Sequence, residues 1–259
     1  MFFYLYDSFL ADKKYEKILH QVEARTTDLG VNGRIGKLNP LNNIRELTED
    51  AIKWGAKTVV AVGNDKTISQ LVDIIPRYPS VTLGVIPIGP ENNIAKLLGI
   101  PSSELACDVL SNRLIDILDL GKINGQYFLT SIHADAKKVV LECDGHYKIL
   151  PQPAAKQINI CNLGCFFKQK INPKDGILQT IVASSPSGFR SFFKKPELLA
   201  DSLFVAKSIQ ITSLPNEADE NAEREASLVI DDYKTIKTPA TIEVAPQKLK
   251  VIVGKERMF

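Results

Sequence analysis

Five consecutive residues, Gly63-Asn64-Asp65-Lys66-Thr67, combine the residue types of a phosphate-binding turn. They follow an apolar run that predicts a buried strand, and apolar residues at helical spacing come after them. A loop that enters a helix presents free backbone N–H groups, which bind anions. Lys66 adds a cation that can contact phosphate, and an exposed loop lysine is the alternative. The segment predicts a phosphate site, although Gly, Asn and Asp also occur in such turns for their geometry alone.

A second loop of the same kind follows the next predicted strand. Residues 87–95 read Pro-Ile-Gly-Pro-Glu-Asn-Asn-Ile-Ala, and Gly89, Asn92 and Asn93 are the candidate binding residues. Two such loops are expected at the carboxyl edge of one parallel sheet, where open α/β sheets bind ligands. The two loops therefore predict one shared ligand crevice.

The elements that would position these loops alternate between strand and helix patterns. Phe2 to Tyr6, Thr58 to Val62 and Leu83 to Ile88 predict buried strands, whereas Ile44, Leu47 and Ala51 repeat at helical spacing. Such alternation is typical of βαβ units around a parallel sheet.

From about Ile115 the pattern changes to strands joined by tight turns. Asn124-Gly125 and Asp144-Gly145 are strong hairpin signals. We therefore predict a Rossmann-like parallel α/β domain over residues 1–114, followed by a β-sandwich domain over residues 115–259. The last strand is a candidate to pack back on the first domain.

Composition excludes several classes of protein. With 32 Lys and Arg against 30 Asp and Glu, the formal net charge of +2 gives no broad surface for nucleic acid. The four cysteines and three histidines do not have the spacing of a zinc site. The N-terminal apolar run is too short to span a bilayer, so we expect a cytoplasmic protein.

The two loops resemble conserved segments of one kinase superfamily. The first is similar to the Gly-Gly-Asp-Gly-Thr motif of diacylglycerol, sphingosine and NAD kinases. The second, through Leu98-Gly99-Ile100-Pro101, is similar to the Pro-Leu-Gly-Thr-Gly-Asn-Asp-Phe-Ala segment of the lipid kinases. Matches follow in the same order at Asp119 to Gly125, Asp175 to Leu178 and Ile230-Asp231. The chain is identified as a divergent member of the diacylglycerol kinase catalytic-domain family.

The resemblance implies a lipid kinase that transfers phosphate from ATP to a lipid hydroxyl with the help of Mg²⁺. Nucleotide binding is expected at residues 63–67 and at Gly89, Asn92 and Asn93. Asp65 and Asp175 match the acids associated with metal in the family. Asp231 matches the general base of the family's Asp-Gly-Glu segment, so Asp231→Asn is expected to lower turnover and leave the melting temperature nearly unchanged. A turn-forming role is the alternative for Asp175 and Asp231.

The chain also departs from the family pattern. Lys66 replaces a glycine, which predicts a strain of roughly 1–3 kcal/mol if the position needs left-handed geometry. Pro90-Glu91 replaces Thr-Gly, which removes an N–H donor and brings a carboxylate to the phosphate site, and Tyr233 replaces the family Glu. A catalytically impaired pseudokinase that keeps a nucleotide- or lipid-binding crevice is therefore the alternative function. Leu98 to Pro101 and Asp119 to Lys122 disfavour a NAD kinase.

Residues 189–195, Phe-Arg-Ser-Phe-Phe-Lys-Lys, interleave aromatic and cationic side chains. An element at the membrane surface has this composition, as does a core-facing helix with its charges in water. Because a lipid substrate resides in a bilayer, we expect a lipid partner and transient contact with the membrane surface. The sequence does not indicate an oligomeric state.

Overall fold

The computed structural model of the chain describes residues 1–166, 169–184, 199–214 and 225–259. The chain forms two compact units, one of Met1–Leu118 with Gln247–Phe259 and one of Asp119–Pro246. The first is a parallel α/β unit and the second an antiparallel β unit, which confirms the predicted fold class. The segment 189–195 lies outside the described residues. No helix in the described ranges is long and apolar enough to cross a membrane.

The sheet of the first unit is parallel and follows the order β2-β1-β3-β4-β18. Only the end of β18 belongs to this unit. β3 and β4 are buried along their whole length, as expected for strands that are covered on both faces. Its strands are β1 (Phe2–Tyr6), β2 (Gly33–Lys37), β3 (Thr58–Gly63), β4 (Thr82–Pro87) and β18 (Ala240–Ile252).

Five helices accompany this sheet: α1 (Glu16–Asp28), α2 (Ile44–Lys53), α3 (Asp65–Val72), α4 (Asn93–Leu97) and α5 (Leu105–Asn112). The side chain of Asn43 caps α2, because its oxygen accepts a hydrogen bond from the Arg45 N–H. α3 and α4 begin within the two candidate loops, so the chain turns from strand to helix there within a few residues.

The second unit contains a six-stranded antiparallel sheet in the order β14-β13-β10-β7-β16-β17. Its remaining strands include a second antiparallel group, in which β15 lies between β8 and the first part of β18. The strands are β5 (Ile115–Ile123), β6 (Gln126–Phe128), β7 (Ser131–Asp135), β8 (Val139–Cys143), β9 (Tyr147–Ile149), β10 (Ala155–Cys161), β11 (Gly164–Phe166), β12 (Gln169–Ile171), β13 (Leu178–Ser184), β14 (Leu199–Ala206), β15 (Ser208–Ser213), β16 (Ser227–Ile230) and β17 (Lys234–Lys237).

One apolar core joins the two groups of strands. Ile132 and Ile158 from the six-stranded sheet belong to the same buried cluster as Leu141, Ile209 and Ile242 from the other strands. Each such side chain contributes about 1.5–3 kcal/mol by leaving water. Burial of one face of each sheet therefore holds the unit together.

The boundary between β14 and β15 lies at a change of strand partner. The chain leaves β14 at Ala206 and enters β15 at Ser208. At this point the carboxylate of Asp144 accepts hydrogen bonds from the N–H groups of Lys207 and Ser208, so the chain changes partners there. Residues Ala240–Ile252 form the single strand β18.

Candidate functional site

The two loops begin at the same edge of the parallel sheet. Val62 pairs with Tyr6 of β1, and Gly63 pairs with Pro87 of β4. The ladder continues beyond the strands, because the Ile88 N–H donates to the Gly63 carbonyl at 2.9 Å. The carboxyl ends of β1, β3 and β4 therefore lie side by side.

Asp65 joins the first loop to the second. It is the first residue of α3, and its N–H donates to the Glu91 carbonyl at 2.9 Å. Its carboxylate accepts the N–H groups of Asn93 at 2.7 Å and Ile94 at 2.9 Å, which are the first residues of α4. One aspartate thus caps the neighbouring helix and fixes the separation of the loops.

Gly63 is required where Thr67 approaches the end of β3. A Cβ atom on Gly63 would lie 2.5 Å from the Thr67 hydroxyl oxygen and 3.1 Å from the Cβ of Asp7. The Thr67 hydroxyl donates to the Asp7 carboxylate at 2.6 Å, and Thr67 is fully buried. The motif threonine therefore binds the end of β1 inside the unit.

A crevice of about 280 Å³ lies beside α3. Lys66 and Gln70 of α3 line it together with Asp7 and Asn39. Lys66 is exposed, and in the described part of the chain neither it nor Thr67 has an acceptor for its backbone N–H. The first turn of α3 thus offers N–H donors and one cation next to a cavity.

The backbone strain expected at Lys66 occurs at a different residue. Lys66 is the second residue of α3 and has helical geometry, because Asp65 has already started the helix. Asn64 is extended, with φ −109°. In the second loop, Gly89 has φ +93° and Glu91 has φ +60°, so Glu91 is the non-glycine residue in the left-handed region. The strain prediction for Lys66 is therefore wrong.

Within the described part of the chain, each loop holds one buried amide oxygen that has no hydrogen-bond partner. The Asn92 amide nitrogen donates to the Gly89 carbonyl at 2.7 Å, which leaves its oxygen unpaired. The side-chain oxygen of Asn64 is likewise buried without a partner. Because buried polar atoms normally make a hydrogen bond, both oxygens are suited to a ligand donor or a hydrated cation.

Asp231 lies at the turn between β16 and β17 and is 4% exposed. Its carboxylate accepts four hydrogen bonds from three consecutive residues: the N–H groups of Leu129, Thr130 and Ser131 and the Thr130 hydroxyl, at 2.7 to 3.3 Å. Burial raises the pKa of the Asp231 carboxyl above its usual value, and these donors oppose that shift.

Asp175 lies in an exposed loop of the same unit as Asp231. Its carboxylate accepts the Ile177 N–H at 3.2 Å, while the buried Asp119 accepts the Gly176 N–H at 2.9 Å. Partial desolvation raises the pKa of Asp175, and the nearby Asp119 carboxylate acts in the same direction. Asn162 connects this loop to the Asp231 site, because its amide nitrogen donates to the carbonyls of Asp119 and Leu129.

Several residues of these sites escaped the sequence analysis as functional candidates. Asp7, Thr130 and Asn162 carry no local motif, because each acts on a residue far away in the chain. His133 and Asp232, which form an ion pair at 3.1 Å, are hidden for the same reason. The one feature of the sequence that could have indicated Asp232 is that it directly follows Asp231.

A larger cavity of about 910 Å³ in the first unit is lined mainly by apolar surface, and also by the cations Lys96, Arg113 and Lys255 and by Glu256. None of the predicted site residues lines it.

Three kinds of comparison find similarities between this chain and known proteins. The family model of the diacylglycerol kinase catalytic domain matches residues 2–123. A diacylglycerol kinase of Bacillus subtilis is 40% identical over 74 residues, which are 27% of this chain and 24% of that protein. The chain therefore matches about a quarter of the length of this relative.

Solved structures extend the similarity in fold to the whole chain. A diacylglycerol kinase from Bacillus anthracis superposes with a TM-score of 0.75 at 18% identity, over 99% of this chain and 97% of that one. An NAD kinase from Archaeoglobus fulgidus in complex with ATP has a TM-score of 0.58 at 17% identity, with coverage of 100% and 96%. At such identities the likeness concerns the fold.

Proposed function

Because the chain belongs, through residues 2–123, to the diacylglycerol kinase catalytic-domain family, we propose that it is a lipid kinase. The reaction is the Mg²⁺-dependent transfer of the γ-phosphoryl group of ATP to the hydroxyl of a lipid such as diacylglycerol. In this proposal the protein binds the lipid at a membrane surface, with which it makes transient contact.

The observation that carries this proposal is the junction made by Asp65. It holds the two glycine-containing loops together at the carboxyl edge of the sheet, beside the N–H groups of Lys66 and Thr67. Residues 63–67 with Gly89, Asn92 and Asn93 form the nucleotide site in this proposal. Phosphoryl transfer depends mostly on positioning and charge neutralisation, which such a rigid cradle supplies.

The residues present suit Mg²⁺ in part. Magnesium is bound through oxygen, usually by one or two carboxylates together with waters and substrate phosphates. In the first unit Asp65 supplies a carboxylate, although both of its oxygens already accept main-chain N–H groups, and the buried oxygens of Asn64 and Asn92 have no partner among the described residues. Asp175 of the second unit is a separate candidate ligand. The metal would neutralise charge on the phosphates. No group of three His, Cys, Asp or Glu side chains among the described residues forms a ready-made cage.

Asp231 is the proposed general base. It would accept the proton of the lipid hydroxyl while the oxygen attacks the γ-phosphorus and the bond to ADP breaks. Three of its four hydrogen bonds end on Oδ1 and one on Oδ2, so Oδ2 keeps room for a further donor. Its raised pKa makes it a stronger base than an exposed aspartate.

The direct test combines the purified protein, labelled ATP, Mg²⁺ and a panel of lipid alcohols. We expect transfer of label to at least one lipid and its loss when Mg²⁺ is chelated. Asp144→Asn is the matched control for the base, because Asp144 is also a left-handed turn aspartate that accepts two main-chain N–H groups. If no lipid is labelled although the protein is folded and binds MgATP, the kinase proposal fails.

The second candidate is a pseudokinase with a working nucleotide crevice. It is favoured by Pro90, which lacks an N–H, and by Glu91, whose carboxylate lies in the second loop. Under this proposal, Pro90→Thr with Glu91→Gly tightens MgATP binding, because one donor returns and one negative charge is removed. Lys66→Gly, measured separately by calorimetry, weakens binding if the lysine contacts phosphate. A wild type that binds MgATP tightly and transfers phosphate contradicts the pseudokinase.

A further inference from the structure

The ring of His133 lies inside a group of polar side chains in the second unit. Its Nδ1 is 2.5 Å from the Asn159 amide oxygen, and its Nε2 is 3.1 Å from both the Ser131 hydroxyl and the Asp232 carboxylate. Gln157 donates to the same Asn159 oxygen at 2.9 Å, which supports the assignment of that amide. The side chain of His133 is 17% exposed, whereas that of Asp232 is 79% exposed.

These contacts favour a proton on each ring nitrogen, although the Gln157 amide nitrogen also lies 3.2 Å from Nδ1. An amide oxygen faces Nδ1 and a carboxylate oxygen faces Nε2, and neither oxygen can donate. The imidazolium form satisfies both sides of the ring. His133 is therefore a buried cation that is bound to an exposed carboxylate.

Asp232 lies next to Asp231 in a turn with unusual backbone geometry. Both have left-handed φ values, +46° for Asp231 and +59° for Asp232, and the Tyr233 N–H closes the turn on the Ile230 carbonyl at 3.1 Å. Turns with two positive φ values favour Asn, Asp or Gly at the first central position and Gly at the second, so Asp232 is the less favoured of the two residues. Asp232 stands where the family segment Asp-Gly-Glu has glycine, and a residue with a Cβ atom adopts this backbone geometry less readily than glycine does.

The turn is attached to β7 at two points. Asp231 binds the start of β7, because its N–H donates to the Ser131 carbonyl and its carboxylate accepts the Ser131 N–H. Asp232 binds His133, two residues farther along the same strand. The Ser131 hydroxyl, 3.1 Å from the His133 ring, connects the two attachments.

We infer that His133 is a positioning residue that acts through Asp232. Asn159 and Ser131 fix the His133 ring, and the ring holds Asp232 in the left-handed turn. The turn in this geometry keeps the Asp231 carboxylate against residues 129–131. The inference rests on the proposed role of Asp231 as the general base. His133 itself does not contact the reacting atoms.

A pH dependence follows from the same contacts. Among the described residues, the charged groups that face the ring are Asp232 and, less closely, Asp231, whereas β10 contributes the neutral side chains of Gln157 and Asn159. Burial alone would lower the pKa of His133, but its hydrogen bonds to Asp232 and Asn159 raise it above its usual value. A raised histidine pKa stabilises the folded state fully below the unfolded value, and this contribution is lost as pH rises through the folded value. The turn should therefore loosen on the alkaline side.

The experiment is a double-mutant cycle read by amide hydrogen exchange of the full chain. His133→Leu should reduce the protection of the Thr130 and Tyr233 amides by about tenfold, because the turn loses its second attachment. In an Asp232→Gly background, where glycine adopts the turn without help, His133→Leu should change protection less than about twofold. His20→Leu removes an exposed histidine paired with Glu16 and should change nothing.

Kinetics add a second readout. His133→Leu and His133→Gln should lower kcat while the KM for MgATP stays constant, and both should remove the alkaline decline of the wild-type pH profile. Equal losses of protection with and without Asp232→Gly overturn the inference, as does an unchanged pH profile in His133→Gln. If wild type transfers no phosphate at any pH, the proposed function fails while the exchange cycle still decides whether His133 holds the turn.

Discussion

Asp65 in the first unit and Asp231 in the second use the same group in two different ways. Both carboxylates accept main-chain N–H groups from residues far away in sequence. Asp65 is partly exposed and caps α4, so it joins two loops. Asp231 is buried, has four donors and a raised pKa. In the proposed roles, the aspartate that transfers the proton is the buried one, and the aspartate that holds the two loops together is partly exposed.

The largest expected effect is that of Asp231→Asn. Turnover should fall by ~10²–10⁴-fold if the carboxylate is the base. Stability should fall by about 1–3 kcal/mol as well, because the amide nitrogen that replaces Oδ2 faces the Leu129 N–H, which then lacks an acceptor. This revises the sequence-based expectation of a nearly unchanged melting temperature.

Asp144→Asn is the control for both readouts in that experiment. It should lose a smaller amount of stability and no turnover. Denaturant unfolding and initial rates at saturating substrate measure the two effects. If Asp231→Asn and wild type have equal turnover, Asp231 is not the general base.

A smaller effect is expected from Asp65→Asn. An asparagine oxygen can accept one of the Asn93 and Ile94 N–H groups, and the other is left facing an amide nitrogen. We expect a loss of about 1–2 kcal/mol of stability and weaker MgATP binding, because the loops are no longer held together.

Asp12→Asn is the matched control for Asp65, since the exposed Asp12 also accepts a main-chain N–H, from Lys14, at 3.1 Å. Calorimetry and denaturant unfolding measure the two effects. If Asp65→Asn and Asp12→Asn change stability and MgATP affinity by the same amounts, Asp65 is an ordinary helix cap. It then has no special part in holding the two loops together.

The smallest effects come from glycine substitutions in the two loops, and they should have opposite signs. Lys66→Gly should destabilise the protein by up to about 1 kcal/mol, because Lys66 is helical. Glu91→Gly should stabilise it by roughly 0.5–1 kcal/mol, since it relieves a left-handed glutamate. Arg113→Gly, at φ +50°, is a second position where relief is expected. Thermal unfolding measures all three, and a stabilising Lys66→Gly would contradict the assigned backbone geometry.

Much of the first unit could be predicted from the sequence because its signals are local. The unbroken apolar runs at β3 and β4 are sufficient to predict strands that are covered on both faces. β2 was missed because its sequence, Gly-Arg-Ile-Gly-Lys, has a single large apolar residue. It pairs with β1 through backbone hydrogen bonds, which leave no pattern in the side chains.

The sequence alone determined the family resemblance, the two-part fold and the positions of the candidate loops, because these depend on residue types at short spacing. Tertiary structure decided what each side chain does. Asp65 accepts the N–H groups of Asn93 and Ile94, and Asp231 accepts those of residues 129–131. His133 forms an ion pair with Asp232. The partners in these contacts are 28 to 102 positions apart in the chain. Such pairings depend on which strands become neighbours. That choice is made by burial of the whole core, so no local pattern encodes it.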